Sequence, residues 1–242
     1  MTWIDERSLG RTIERVEERL VAGDETLPQE RVAEVVEWLL ARQSTSGRRR
    51  GMFQPLADDV DSGVRLATGE RLRTRLATWN VLSHEAVRLL RRLAPNDEDV
   101  QQATVRALST FRQHCYARQH CAIGECAHSA ISYLRLLASI EDPGDRVWID
   151  AELATIRRHR LATGRWKRFP FYYTLLALLA LPGGTARAEL QHAVPACLRV
   201  RHRTDPPQPD LARRSDVVER VLALGERRTP GSLWDQRGRA DG

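Results

Sequence analysis

Cysteine and histidine crowd into one stretch, His114-Cys115-Tyr116-Ala117-Arg118-Gln119-His120-Cys121-Ala122-Ile123-Gly124-Glu125-Cys126-Ala127-His128. Three of the chain's 4 cysteines and three of its 7 histidines fall there. Thiolate sulfur and imidazole nitrogen are the donors that Zn²⁺ takes, and thiolates hold iron–sulfur clusters. The candidate ligands are Cys115, Cys121, Cys126 and His128, with His114, His120 and Glu125 as alternatives. The spacing C-x5-C-x4-C-x-H contains no Cys-x2-Cys pair and so matches no zinc-finger pattern. Two other readings stand beside a metal site. The cysteines could be small buried apolar residues among ordinary loop histidines. Alternatively, one could be a reactive or redox-sensing thiol, its pKa lowered by a helix N-terminus.

Carboxylates cluster in a second stretch. The connection from about Ser44 to Arg71 carries Arg48-Arg49-Arg50, then Asp58, Asp59 and Asp61, then Thr68-Gly69-Glu70. Clustered carboxylates can hold Mg²⁺ on a diphosphate, although the spacing fits neither DDxxD nor DxDD. A solvated acidic turn is the plainer expectation. A third cluster, Arg157, Arg158 and Arg160 followed by Arg165, Trp166, Lys167 and Arg168, interleaves cations with aromatics. That pattern suits phosphate contact with stacking in a nucleic-acid or acidic-protein partner. The competing reading places the aromatics in loop packing and the arginines over a helix end, where cations suit the dipole. Ser83-His84-Glu85 offers an acid/base pair on a predicted helix. No phosphate-binding glycine loop, nucleophile elbow or HExxH motif occurs.

These residues must be positioned by helices. Val32, Val35, Val36, Leu39 and Leu40 fall at i, i+3, i+4, i+7 and i+8 behind Pro28, which predicts a helix with one apolar stripe. Val100, Ala103, Ala107, Leu108 and Phe111 repeat the spacing after an acidic first turn at residues 96–99, where carboxylates suit the dipole. Ile131, Leu134, Leu137 and Ile140 make another stripe, and Asp142-Pro143-Gly144 breaks the chain before Trp148, Leu153 and Ile156. Tyr172 to Leu181 is apolar nearly all round, so this helix should be central. Thr185 is placed to cap the helix after Pro182-Gly183-Gly184, Pro195 should kink or end it, and residues 206–209 read as a loop. Val217, Val218, Val221 and Leu222 form the last stripe. In this scheme His114 and Cys115 end one helix, Cys121 lies in a loop, and Cys126 and His128 begin the next helix.

Three segments share one grammar: a helix ending in a basic or glutamine-bearing turn, a glycine-containing loop, then a more apolar helix. They lie around residues 40–93, 116–139 and 155–183, with residues 185–225 as a degenerate fourth. Such units cannot bury their faces alone and must stack as a solenoid or a closed ring. The expected organisation is an N-terminal helix (1–27), an all-α domain of α/α-hairpin repeats (28–225) and a loose tail (226–242).

The segment Gly164-Arg165-Trp166-Lys167-Arg168-Phe169-Pro170-Phe171-Tyr172-Tyr173-Thr174-Leu175-Leu176-Ala177-Leu178 resembles the repeat of the prenyltransferase and squalene-cyclase-like α/α toroids. In those repeats a Gly-x-Trp/Phe loop precedes Tyr-Thr and an apolar inner helix. Trp38-Leu39-Leu40-Ala41-Arg42-Gln43 with Gly51-Met52-Phe53 is similar in pattern, and the resemblance extends over residues 28–182. It implies a toroid fold and, for an enzyme, prenyl-transfer-like or cyclase-like chemistry. The family's zinc constellation and Asp-rich cyclase motif are not reproduced in order, so its chemistry does not carry over.

If the hairpins close into a ring, the N-termini of the inner helices gather at one mouth. Arg73-Thr74-Arg75, Glu125-Cys126-His128 and Phe171-Tyr172-Tyr173 then share a rim that the acidic loop can cover. Arg75, Tyr172 and Tyr173 become the pocket residues for a small anionic or isoprenoid-like ligand.

At 242 residues the chain is long enough to bury roughly 70–75% of its unfolded surface without staples. The net charge of +6 is uneven: residues 1–154 carry 21 basic and 24 acidic side chains, residues 155–242 carry 17 and 8. The basic C-terminal part carries the polyanion expectation. No apolar run approaches the ~20 residues of a membrane helix, and Met1-Thr2-Trp3-Ile4-Asp5-Glu6-Arg7 does not read as a secretion signal. The cytoplasm is the expected compartment.

Overall fold

The structure, a computed structural model, describes residues 2–21, 28–201 and 209–226. Its helices are α1 (Leu9–Val21), α2 (Gln29–Leu40), α3 (Ala57–Asp61), α4 (Arg75–Leu93), α5 (Glu98–Phe111), α6 (Cys115–Gln119), α7 (Cys126–Ile140), α8 (Arg146–Arg158), α9 (Phe171–Leu179), α10 (Gly184–Arg201) and α11 (Pro209–Glu226). Among the described residues no β-strand forms, only isolated antiparallel bridges. The all-α expectation therefore holds.

Burial sorts the helices into two layers. Every residue of α4 from Val81 to Leu90 is buried, as is every residue of α7 from Ser129 to Ala138. By contrast, α5 buries only the face carrying Val100, Ala103, Thr104, Ala107 and Phe111. The inner helices pack in sequence, α4 against α7 and α7 against α9, and α11 packs one apolar face on α9 and α10. Outside them, α2 and α5 lie on α4, α8 on α7, and α10 on α9. Each fully buried Leu or Ile of the inner row contributes about 1.5–3 kcal/mol. The N-terminal helix is part of this body: α1 packs on α4, and Leu9, Ile13 and Val16 join the one hydrophobic core.

One device recurs at three successive loops. After α2, the Gln43 amide donates to the carbonyls of Gly51 (3.0 Å) and Ala103 (2.8 Å) and accepts from Arg106 Nε, tying the loop to α5. After α6, His120 Nδ1 meets Glu152 at 2.7 Å and Trp148 Nε1 donates to the Ala117 carbonyl, tying that loop to α8. After α8, Arg157, Arg160 and Trp166 all donate to Glu189 of α10. Two of these loops press a glycine against the next outer helix. Gly51 (φ 84°) and Gly164 (φ 75°) would place a Cβ 2.5 Å from the Arg106 carbonyl oxygen and 3.0 Å from that of His192. Both conformation and space there require glycine.

Local boundaries differ from expectation in three places. α5 ends at Phe111, and His114 precedes a separate short helix that begins at Cys115; the left-handed backbone of His120 (φ 50°) then stops α6. α10 starts at Gly184, so Thr185 lies inside its first turn rather than at its cap. The same helix runs through Pro195 to Arg201, held by Ala193, Ala196 and Cys197 buried on either side. Pro209 begins α11. Residues 206–208 of the expected loop, residues 22–27 of the N-terminal segment and the expected tail at 227–242 lie outside the described residues.

Candidate metal centre and adjoining cavities

The first residue of α6, the loop after that helix and the first residue of α7 bring together three sulfurs. Sγ of Cys115, Cys121 and Cys126 all lie within 4.8 Å of one another, and Cys115 and Cys126 are 3.6 Å apart. Zn–S bonds of about 2.3 Å in a tetrahedral site place sulfurs about 3.8 Å apart, so the trio is spaced for one ion. Thiolates spread over several irons of a cluster sit farther apart. Cys115 is exposed, the other two half-buried. With no cation to draw off the proton, burial and the neighbouring thiols of Cys115 and Cys121 push the Cys126 thiol up to about 12. The helix N-terminus does not produce the lowered pKa expected from sequence. A bound divalent ion reverses that order and deprotonates its thiols outright.

The other predicted ligands have different employment. His114 stacks on Tyr116, and His120 pairs with Glu152 and stacks on Trp148. The Glu125 carboxylate accepts from the backbone N–H groups of Arg73 (2.5 Å) and Thr74 (2.6 Å). His128 lies outside the sulfur group; its Nδ1 is buried without a hydrogen-bond partner, and burial lowers its pKa. The donor set is three cysteines, with a fourth coordination position not supplied by these residues.

Residues just before α4, α7 and α9 border one groove. This groove of about 980 Å³ is lined by Glu70, Arg71, Arg73, Glu125, His128 and Pro170, among others. These residues come from the approaches to α4, α7 and α9. Their helix ends, however, are satisfied from within. Glu125 caps the approach to α4, and Glu70 Oε1 accepts from the N–H groups of Tyr172 (3.1 Å) and Tyr173 (3.3 Å) at the start of α9. Burial raises the pKa of Glu70. Donors expected to receive a ligand's anion receive the chain's own carboxylates instead, because helix termini bind whichever anion is nearest.

The three predicted pocket residues are dispersed. Arg75 borders a small cleft with Trp79, Tyr172 packs beside Arg214 of α11, and Tyr173 faces an interior cavity. The acidic loop is neither a cation site nor simply solvated. Asp59 is buried and accepts from Ser8 Oγ (2.7 Å), Leu9 N (2.8 Å), Gly10 N (3.1 Å) and Leu56 N (2.9 Å), capping α1 and α3 together. Asp58 pairs with Arg7 and Arg11, and only Asp61 is exposed. In the basic cluster, Arg157 and Arg160 close on buried Glu189, Arg158 bonds Thr155, Arg165 covers Phe171, and Trp166 is buried. Lys167 and Arg168 alone of the seven are exposed with no such anchoring contact among the described residues.

His84 and Glu85 do not act as a pair. His84 is fully buried between Ser132 Oγ (2.6 Å) and Tyr116 OH (2.8 Å), and burial pushes its pKa down to about 3. Glu85 points the other way, into an ion network that sequence reasoning missed. Its Oε2 accepts from Arg88 Nε (2.8 Å) and Arg135 Nη1 (2.5 Å), its Oε1 from Tyr173 OH (2.5 Å). Glu17 adds a second carboxylate, 2.6 Å from Arg88 Nη2 and 3.6 Å from Arg135 Nη2. Burial pushes both carboxyls up, but the two guanidiniums outweigh it and hold both below the usual range. The signal lay in Arg135, a lone charge inside the apolar run Ala130-Ile131-Ser132-Tyr133-Leu134-Arg135-Leu136-Leu137.

No protein-family model, curated protein or solved structure matches this chain. The assignment therefore rests on its own chemistry. Among the described residues no helix is long and apolar enough to cross a membrane.

Proposed function

We propose that the protein binds a single thiophilic divalent ion, zinc in the first instance, through Cys115, Cys121 and Cys126. The mutual approach of the three sulfurs carries this reading. Three protein ligands leave a position for water or a ligand group, as open zinc sites do. The rim groove reaches the same loop at Gly124 and Glu125, so a molecule in the groove lies near that position. An iron–sulfur cluster is disfavoured by the short sulfur spacings.

The frame proposed for this site is an α/α toroid-like ring. Support comes from the thrice-repeated loop anchor and from an interior cavity whose lining draws on α1, α4, α7, α9 and Arg213 of α11.

Elemental analysis of protein purified under reductant without added metal tests the proposal. About one equivalent of zinc is expected, or one equivalent of Co²⁺ with thiolate-to-metal absorption after exchange, both lost in Cys121→Ser. No stoichiometric metal after anaerobic reconstitution, or undiminished metal in Cys121→Ser, rejects it. A Cys115–Cys126 disulfide in metal-free protein would favour the redox reading.

A further inference from the structure

We infer that the interior cavity is a second site, for one small, neutral, mainly apolar molecule bearing an oxygen that accepts a hydrogen bond, such as a ketone or alcohol. The cavity measures about 310 Å³, at the lower end of the roughly 300–1,000 Å³ found for small-molecule sites. Ile13, Val64, Leu66, Val81 and Leu82 supply apolar wall, and the buried polar lining is Glu17, Glu85, Arg135 and Tyr173 together with Ser8 and Asp59, which bond each other; Arg11, Glu14, Ser62 and Arg65 are exposed, and Asp58 and Arg213 half-buried. No cysteine lines it, so the site is separate from the proposed metal centre.

The polar lining selects the ligand. Guanidinium offers five N–H donors. Arg135 spends Nη1 on Glu85, but its Nη2 stands 3.6 Å from Glu17, beyond hydrogen-bond length. A ligand oxygen there meets a buried donor with capacity to spare. The buried charges beside Arg135 are already matched, Glu17 and Glu85 against Arg88 and Arg135, while the exposed Arg65 and half-buried Arg213 of the lining donate to the carbonyls of Gly69 and Ala67. An anionic or cationic head group would add an unmatched charge where desolvation is most costly. A carbonyl or hydroxyl oxygen adds none. The Tyr173 hydroxyl is committed to Glu85, which leaves Arg135 as the recognising group.

The test uses the full chain and the neutral naphthyl ketone prodan, whose emission shifts blue in apolar surroundings. One saturable site is expected, with prodan displaced by nonanone and not by the matched carboxylate nonanoate. Ala67→Phe, which fills the cavity from its loop wall, should weaken prodan by at least about tenfold, and Val105→Ala, on the exposed face of α5 and outside the lining, should leave it unchanged. Val64→Phe serves if Ala67→Phe does not fold, as judged by circular dichroism. The competition pair needs no variant. Absence of saturable binding to folded wild-type protein, equal displacement by nonanoate, or full binding in a folded cavity-filling variant overturns the inference.

Discussion

In the network on α1, α4, α7 and α9, every charge meets an opposite charge from the chain itself. Glu17 and Glu85 face Arg88 and Arg135, with Tyr173 donating the remaining hydrogen bond. In the cysteine loop the polar atoms are alike: three sulfurs face one another, and their crowding pushes the Cys126 thiol up. The first arrangement is complete and rigidifies the inner helices. The second is stabilised as thiolate only by a cation from outside. The two polar clusters thus differ in whether their charges sum within the chain: the buried one balances itself, and the exposed to half-buried one is the one proposed to take an ion.

The largest effect is expected from breaking the complete cluster. Glu85→Ala leaves two buried guanidiniums sharing the single carboxylate of Glu17 and should cost about 3–5 kcal/mol in urea denaturation. Replacing Glu85 and Arg135 together with Leu and Met should cost less than Glu85→Ala alone, since no unmatched charge from that pair remains. A double variant at least as unstable as the single would show that the network contributes packing rather than charge balance.

Breaking the open cluster should be visible only when metal is present. At free zinc 100 times the dissociation constant, wild type should gain about 2.7 kcal/mol over the chelated protein. Cys121→Ser should lose that gain while matching wild type in chelator. Equal stability with and without zinc would erase the contrast between the two regions.

Acid should reach a third kind of polar group first. His84, neutral and buried, has a folded pKa of about 3, far below its unfolded 6.5. Its contribution is present above pH 6.5 and is lost progressively as pH falls from there towards 3. His114 and His128 shift in the same direction through burial. The carboxylates of the network, held below the usual range, begin to lose their contribution only below about pH 4. The urea midpoint of metal-free protein should therefore fall between pH 7.5 and 5, and fall less steeply in His84→Gln. An unchanged slope in that variant would remove His84 as its source.

The smallest effect belongs to Cys197, buried alone on α10. Cys197→Ala should change stability by about 1 kcal/mol and leave the zinc content intact. Loss of zinc there would mean that the cysteine loop is not the metal site.

Helical periodicity was legible because it is local: the stripes at 32–40, 100–111 and 217–222 depend on side-chain spacing alone. So was the Cys/His cluster as a cluster. Which donors converge was not legible, because His120 and Glu125 are drawn off by partners 32 and 52 residues distant. The acidic loop misled for the same reason. Asp59 is a cap because α1 begins beside it, 50 residues away in sequence at Leu9.

By itself, the sequence determined helix content, the apolar faces, the glycine loops and the clustering of thiols in one segment, since each follows from neighbours within a few turns. Tertiary structure decided which carboxylates became caps, which arginines were neutralised, and that Glu17, Glu85, Arg135 and Tyr173 line one cavity. Those outcomes depend on distances between helices far apart in the chain, and electrostatic and hydrogen-bond partners are chosen by proximity in space.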